Sequence, residues 1–305
     1  VYDTHLRDEA NYTVGLPAAV DEAIAIARSA QIPVQISHIK ALGVDLHGSA
    51  PAIIARIEAA RAEGLDVTAS QYPWEASGTS MVASLMPLWA LDGGRPAMLA
   101  RLDDPRVREG MTENLRRRGG AGSLLVAEGR WKGKRLQQIA DETGTDPVSA
   151  ALSVIRSGDV SVVSFNMAEA DIAAFMRQPW TMTGSDASAG HPRSFGSFAR
   201  KYAVYVKQRQ VLSLREFIDR STAITADFFG IRDRGRLTVG SFADIAVFDP
   251  ETYAARATYE QPELTATGMR AVIVNGRVAV ADGAPSGEAA GKALRHTPPP
   301  GSCSP

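Results

Sequence analysis

Three side chains define what chemistry this sequence could do: His5, His38 and Asp186. Each comes at the end of a short run with strand character. Val1-Tyr2-Asp3-Thr4 leads to His5, Pro33-Val34-Gln35-Ile36-Ser37 to His38, and Thr181-Met182-Thr183-Gly184-Ser185 to Asp186. Imidazole nitrogen and carboxylate oxygen suit zinc, which in catalytic sites keeps an open position for water and lowers the pKa of that water to about 7. Asp186 could then take the proton from the water. Taken singly, each residue is unremarkable in type: a strand-end histidine is more often structural, and Gly-Ser-Asp is commonly a turn or an N-cap. The coincidence of all three at equivalent strand ends carries the reading.

The elements that must position them follow a simple order. A third strand of the same kind, Leu65 to Tyr72, puts Tyr72 at its end. The pattern predicts helices between these strands, one from about Pro17 to Ala30 and one from Ser49 to Glu63, with Ser49 as N-cap and Gly64 just past the end. Strand, helix, strand, helix, strand is the signature of right-handed units that build a parallel α/β sheet, whose functional groups gather at the C-terminal strand ends. The regular spacing then stops for about 110 residues, so the segment at about 80–165 reads as an insertion. It holds a basic helix ending in Arg116-Arg117-Arg118, helices near Arg135 to Glu142 and Pro147 to Arg156, and a strand from Val160 to Phe165. Of the two readings of the arginine run, an anion site or a solvated helix face, the solvated face is preferred. A helix from Glu169 to Arg177 leads into the fourth strand.

Beyond Asp186 a Gly/Ser-rich loop carries His191-Pro192-Arg193, and Ser213-Leu214-Arg215-Glu216 is a capping-box pattern. From about residue 236 the texture changes to short β segments: Leu237 to Gly240, Ala243 to Phe248, and Val272 to Val274 turning at Asn275-Gly276 into Val278 to Val280. The expectation is a small β appendage over 236–283 and a flexible tail over 284–305.

Composition sets wide limits. The 305 residues, 45% hydrophobic and 22% charged, describe an ordinary globular chain large enough for one big core and an appendage. Thirty-three basic against 34 acidic residues argues against nucleic acid or an anionic membrane as the main partner. The single cysteine, Cys303, lies in a Pro/Gly/Ser-rich stretch, so neither a disulfide framework nor a cysteine metal site is expected, and the compartment stays open.

Five segments in order, Tyr2-Asp3-Thr4-His5-Leu6-Arg7-Asp8-Glu9, Ile36-Ser37-His38-Ile39-Lys40, Tyr72-Pro73-Trp74, Gly184-Ser185-Asp186 and His191-Pro192-Arg193, resemble the motifs of the N-acyl-D-amino-acid deacylase (D-aminoacylase) family of the amidohydrolase superfamily. Arg234 to Val247 is similar to the stretch with which amidohydrolases re-enter their β-sandwich. The resemblance implies the C-terminal half of a (β/α)8 TIM-like barrel, covering strands five to eight over residues 1–235, with part of a small β-sandwich behind it. It also implies one or two zinc ions, with His5 and His38 as metal ligands and Asp186 as ligand and acid/base. Lys40 and Tyr72 match family positions near the substrate's carboxylate or the scissile carbonyl. Arg193 is a further candidate for the carboxylate, which a guanidinium grips bidentately.

The family's first-strand His-x-His pair and its fourth-strand metal-bridging cysteine have no counterpart here; Trp74 replaces the usual tyrosine and Ser70 a common aspartate. Four strands cannot close a barrel, so an N-terminal half is expected, either as a missing segment or as a separate partner chain. Three functions stay open: an amidase releasing a D-amino acid and a carboxylic acid from an N-acyl-D-amino acid, a dipeptidase or other amidohydrolase for related amides, and an inactive half-chain that needs a partner. The substrate is in each catalytic case a small molecule, and a homo-oligomer is compatible with all of them.

Overall fold

The computed structural model describes residues 1–295. Its elements run β1 (Tyr2–Thr4), α1 (Leu16–Ala30), β2 (Val34–Ile36), α2 (Ala50–Ala62), β3 (Val67–Gln71), β4 (Ala76–Ser80), α3 (Met81–Leu85), α4 (Gly94–Ala100) and α5 (Pro105–Arg117). They continue with β5 (Leu124–Val126), α6 (Leu136–Thr143), α7 (Pro147–Ser157), β6 (Ser161–Phe165), α8 (Glu169–Arg177), β7 (Thr181–Thr183), α9 (Arg193–Arg200), α10 (Leu214–Ser221) and α11 (Ala223–Phe228). β8 (Ile245–Phe248), β9 (Met269–Val274), β10 (Arg277–Ala281) and β11 (Ala284–Pro285) complete the order.

The strands β1, β2, β3 and β7 form one parallel sheet in that order. Thr4 lies opposite Ile36, Ile36 opposite Ala69, and Gln71 opposite Thr183. This register brings the four C-terminal strand ends level. Helices α1 and α2 cover the sheet because their apolar residues recur every three or four positions: Leu16, Val20, Ile24 and Ala27 on one, Ile53, Ile57 and Ala60 on the other, all buried. Phe175 and Trp180 close the same core from α8 and the turn after it. Among the described residues no further strand pairs with β1 or β7 to close this sheet.

The segment between β3 and α8 is a unit with its own interior. β4, β6 and β5 form an antiparallel sheet, and α3 to α7 pack a second apolar core that includes Met81, Met111, Leu124, Leu136 and Ile155. The third unit is an antiparallel sheet in the order β11-β10-β9-β8, with Asn275 at positive φ in the turn between β9 and β10.

Four local expectations need correction. Ser49 does not cap α2: its Oγ donates to the Leu46 carbonyl oxygen, and the N-terminal amides of Gly48 and Ala50 instead donate to the carboxylate of Asp171 on α8, at 2.7 and 3.0 Å. A charged acceptor brought in by the fold outcompetes a local hydroxyl. Leu237 to Gly240 is not a strand, and Leu237 and Val239 are solvent-exposed. Residues 284 and 285 belong to the sheet as β11, and Ala290 is buried, its carbonyl oxygen accepting from Asn275 Nδ2 at 2.7 Å, so the chain stays ordered beyond 283; the rest of the expected tail, from 296, lies outside the described residues. Finally, the arginine run is only partly a solvated face: Arg116 and Arg117 pair with Asp45 and Glu113, whereas Arg118 is turned inward and is 5% exposed.

Candidate active site

His5 and His38 leave adjacent parallel strands and meet ring to ring, His5 Nδ1 lying 3.0 Å from His38 Nε2. Two imidazoles on neighbouring strands converge in this way only if the backbone turns sharply. His38 does so at φ 42°, a left-handed conformation uncommon for a residue with a Cβ. Its amide is fixed by donating to Ser70 Oγ at 3.0 Å, so the serine that stands where an aspartate is common holds the strand end in place.

Behind His38 is a residue that the sequence reading left without a role. Glu9 Oε1 lies 2.8 Å from His38 Nδ1, and it also ion-pairs with Lys40, whose Nζ is 2.7 Å from the same ring nitrogen. An ammonium and a ring N–H both need an acceptor here, and Glu9 serves both. Burial pushes the Glu9 carboxyl up, but the charge of Lys40 and the hydrogen bond from His38 outweigh it and hold the pKa at about 2. Burial draws Lys40 down against the pull of Glu9, and burial likewise lowers His5. The signal that could have found Glu9 was its place four residues after His5 in the loop that follows β1.

The donor set fits zinc. With His38 Nδ1–H committed to Glu9, its Nε2 presents a lone pair towards His5 Nδ1. Zinc–nitrogen bonds of about 2.0–2.1 Å at a tetrahedral angle separate two ligand nitrogens by about 3.3 Å, close to the spacing found. His5, Glu9 and His38 have ligand-type atoms all within 4.8 Å of one another. Glu9 contributes by orienting His38 through the far ring nitrogen, an arrangement typical of metal-bound histidine.

Asp186 follows β7 at φ 46°, the second left-handed residue at a strand end, and lines the same cavity as the two histidines. Its carboxylate is not part of the His5–Glu9–His38 cluster; Arg193 Nη1 holds it at 2.7 Å. Arg193 is 3% exposed, so its pair with Asp186 is not a surface ion pair. Its Nη2 donates to Ser188 Oγ at 3.1 Å, and its Cζ lies 4.7 Å from the centre of the Tyr72 ring. Close fit explains Gly78 on β4, where a Cβ would come within 2.8 Å of Ser188 Oγ and 3.1 Å of Arg193 Nη2. Tyr72 is 3% exposed, and burial pushes its phenol well above the usual range.

Together these groups line a cavity of about 700 Å³, which fits a small molecule. The structure thus brings all six expected residues, His5, His38, Lys40, Tyr72, Asp186 and Arg193, to one cavity, and adds Glu9.

The amidohydrolase family is matched over residues 147–280. An N-acyl-D-glutamate deacylase of Alcaligenes xylosoxydans xylosoxydans is 31% identical over 300 residues, which are 97% of this chain and 54% of that protein. The crystal structure of N-acyl-D-glutamate deacylase from Bordetella bronchiseptica, in complex with zinc and a phosphonate that mimics the tetrahedral intermediate of its reaction, is 30% identical with a TM-score of 0.75, over 93% of this chain and 55% of that one. A D-aminoacylase structure concerned with that enzyme's binuclear metal centre is 30% identical with a TM-score of 0.76, over 97% of this chain and 56% of that one. The chain spans about half the length of the relatives it matches. Over nearly its whole length the chain is therefore similar to about half of the N-acyl-D-amino-acid deacylases, with the amidohydrolase family model matching its residues 147–280.

Proposed function

We propose that this chain carries half of the active site of a zinc-dependent amide hydrolase, which releases a D-amino acid and a carboxylic acid from an N-acyl-D-amino acid. The observation that carries the proposal is the facing pair His5 Nδ1 and His38 Nε2, 3.0 Å apart at the ends of adjacent parallel strands, with Asp186 on the same cavity. His5 and His38 hold one or two zinc ions, with Asp186 at the same centre. A bound zinc ion supplies Lewis-acid polarisation and lowers the pKa of bound water to about 7. Asp186 accepts the proton of the attacking water and passes it to the leaving amine, while Arg193 keeps its carboxylate aimed. Glu9 holds His38 in one tautomer. Lys40, Tyr72 and Arg193, which line the cavity together, receive the carboxylate of the amino-acid half.

On this reading the parallel sheet is the second half of a (β/α)8 barrel with β4 to β6 inserted, and the sheet β8 to β11 is part of a β-sandwich. Polypeptide outside these residues completes both. Support comes from the two sheet edges that no strand among the described residues pairs, and from relatives of about twice this length.

The test uses the protein containing this chain. Elemental analysis should find zinc, and N-acyl-D-amino acids should be hydrolysed in preference to N-acyl-L-amino acids and to dipeptides. His38→Ala should remove activity and metal while leaving the circular dichroism spectrum unchanged. Undiminished turnover by that variant would refute the assignment.

A further inference from the structure

One charged group of the cavity has no part in this scheme. Arg118, at the C-terminal end of α5, lines the cavity and is 5% exposed. The other cations of the wall are matched: Arg7 by Glu22, Lys40 by Glu9, Arg117 by Glu113 and Arg193 by Asp186. The remaining wall carboxylate, Asp8, accepts from the backbone amides of Ala10, Thr13 and Gly15. Every carboxylate on the wall is therefore occupied, and among the described residues none pairs with Arg118.

The partners of Arg118 are neutral. Nε donates to the Ser84 carbonyl oxygen at 2.9 Å and Nη1 to Ser164 Oγ at 3.2 Å. The Asn166 amide, with its oxygen turned to the guanidinium, accepts from Nη1 at 3.3 Å. Nη2 has no acceptor among the described residues. The Tyr12 ring, also on the cavity wall, lies 5.3 Å from Cζ. Arginine stays protonated even when buried, so the site holds a fixed positive charge whose Nη2 is left to donate to an anion.

We propose that Arg118 receives a second carboxylate of the substrate, so that the cavity selects dianionic N-acyl-D-amino acids over monoanionic ones. This rests on the hydrolase reading above. The second carboxylate belongs either to the amino-acid side chain or to the far end of the acyl group, and Arg118 recognises the same chemistry in both.

Isosteric acid and amide pairs on the zinc-loaded protein test it. N-acetyl-D-glutamate against N-acetyl-D-glutamine probes the side-chain source, and N-succinyl-D-alanine against N-succinamoyl-D-alanine the acyl source. In one of the two pairs kcat/KM for the acid should exceed that for the amide by about tenfold or more. Arg118→Gln should bring that ratio close to one, and Arg118→Lys, which keeps the charge and guards against misfolding of the first variant, should retain part of it. A ratio near one in both pairs, or an unchanged ratio in Arg118→Gln with zinc content intact, overturns the proposal. Binding separates this from the parent reading: glutarate should bind more tightly than glutaramate, and the difference should vanish in Arg118→Gln. If no N-acyl-D-amino acid is hydrolysed but that difference holds, the hydrolase reading fails and the anion subsite stands. If hydrolysis occurs and the difference is absent, the reverse is true.

Discussion

Asp186 and His191 show two ways in which Arg193 fixes a side chain beside the cavity. Asp186 is held at 2.7 Å by Arg193, which fixes where its carboxylate points. Asp186→Asn keeps the shape and removes the base, so kcat should fall by about 10²–10⁴-fold with zinc content little changed. A variant that lost affinity alone, with kcat intact, would make the residue a substrate contact instead. His191 is the opposite case. Its Nδ1 accepts the Arg193 amide at 3.1 Å, which leaves Nε2–H to donate to the Ala76 carbonyl oxygen at 3.0 Å and fixes the neutral ring. Burial, with the nearby Arg193 charge, pulls its pKa down to about 3. The folded value lies below the unfolded one, so the unfolded chain binds the extra proton first. Stability is therefore whole above about pH 6.5 and falls as pH drops from there towards about 3, by about 4 kcal/mol at most. Urea titrations across that range should show a shallower acid loss for His191→Gln than for the unmodified protein; parallel curves would refute the account.

At the scale of elements, the capping of α2 shows what local pattern misses. Asp171 of α8 reaches the Gly48 and Ala50 amides and is itself 3% exposed, so it ties two helices that are neighbours only in the folded chain. Asp171→Ala leaves one buried and one partly buried amide without an acceptor and should destabilise by about 1–3 kcal/mol. Ser49→Ala removes one hydroxyl bond to Leu46 and should cost about 0.5 kcal/mol. Chemical denaturation of the two variants gives the comparison, and equal effects would restore Ser49 as the cap. By contrast, Ser213 and Glu216 do form the reciprocal capping box at the start of α10, because both partners lie within one turn of each other.

For the whole molecule the open parallel sheet dominates behaviour. β1 and β7 are its outer strands, and an outer strand offers unpaired amides and carbonyls to any other strand that approaches. Residues 1–305 produced alone should therefore self-associate, and gel filtration with light scattering should find species larger than a monomer. A monodisperse monomer that unfolds cooperatively and turns over substrate would contradict the half-barrel reading.

What the sequence determined by itself was everything that depends on near neighbours or on period. Helix α8 lies at Glu169–Arg177 as expected, β6 within one residue, and the turn at Asn275-Gly276 joins β9 to β10, because capping, periodicity and turn chemistry act over a few residues. The equivalence of His5, His38 and Asp186 was legible because parallel strands with helical crossovers bring their C-terminal ends level. Only the tertiary structure decided what crosses between units. It set Glu9 behind His38, Asp171 under α2, and Arg193 against Asp186. It also separated Arg118 from Arg116 and Arg117, three identical neighbours of which the fold buries one. Whether a charge meets water, a partner or neither is a property of the packed surroundings, and no spacing along the chain encodes it.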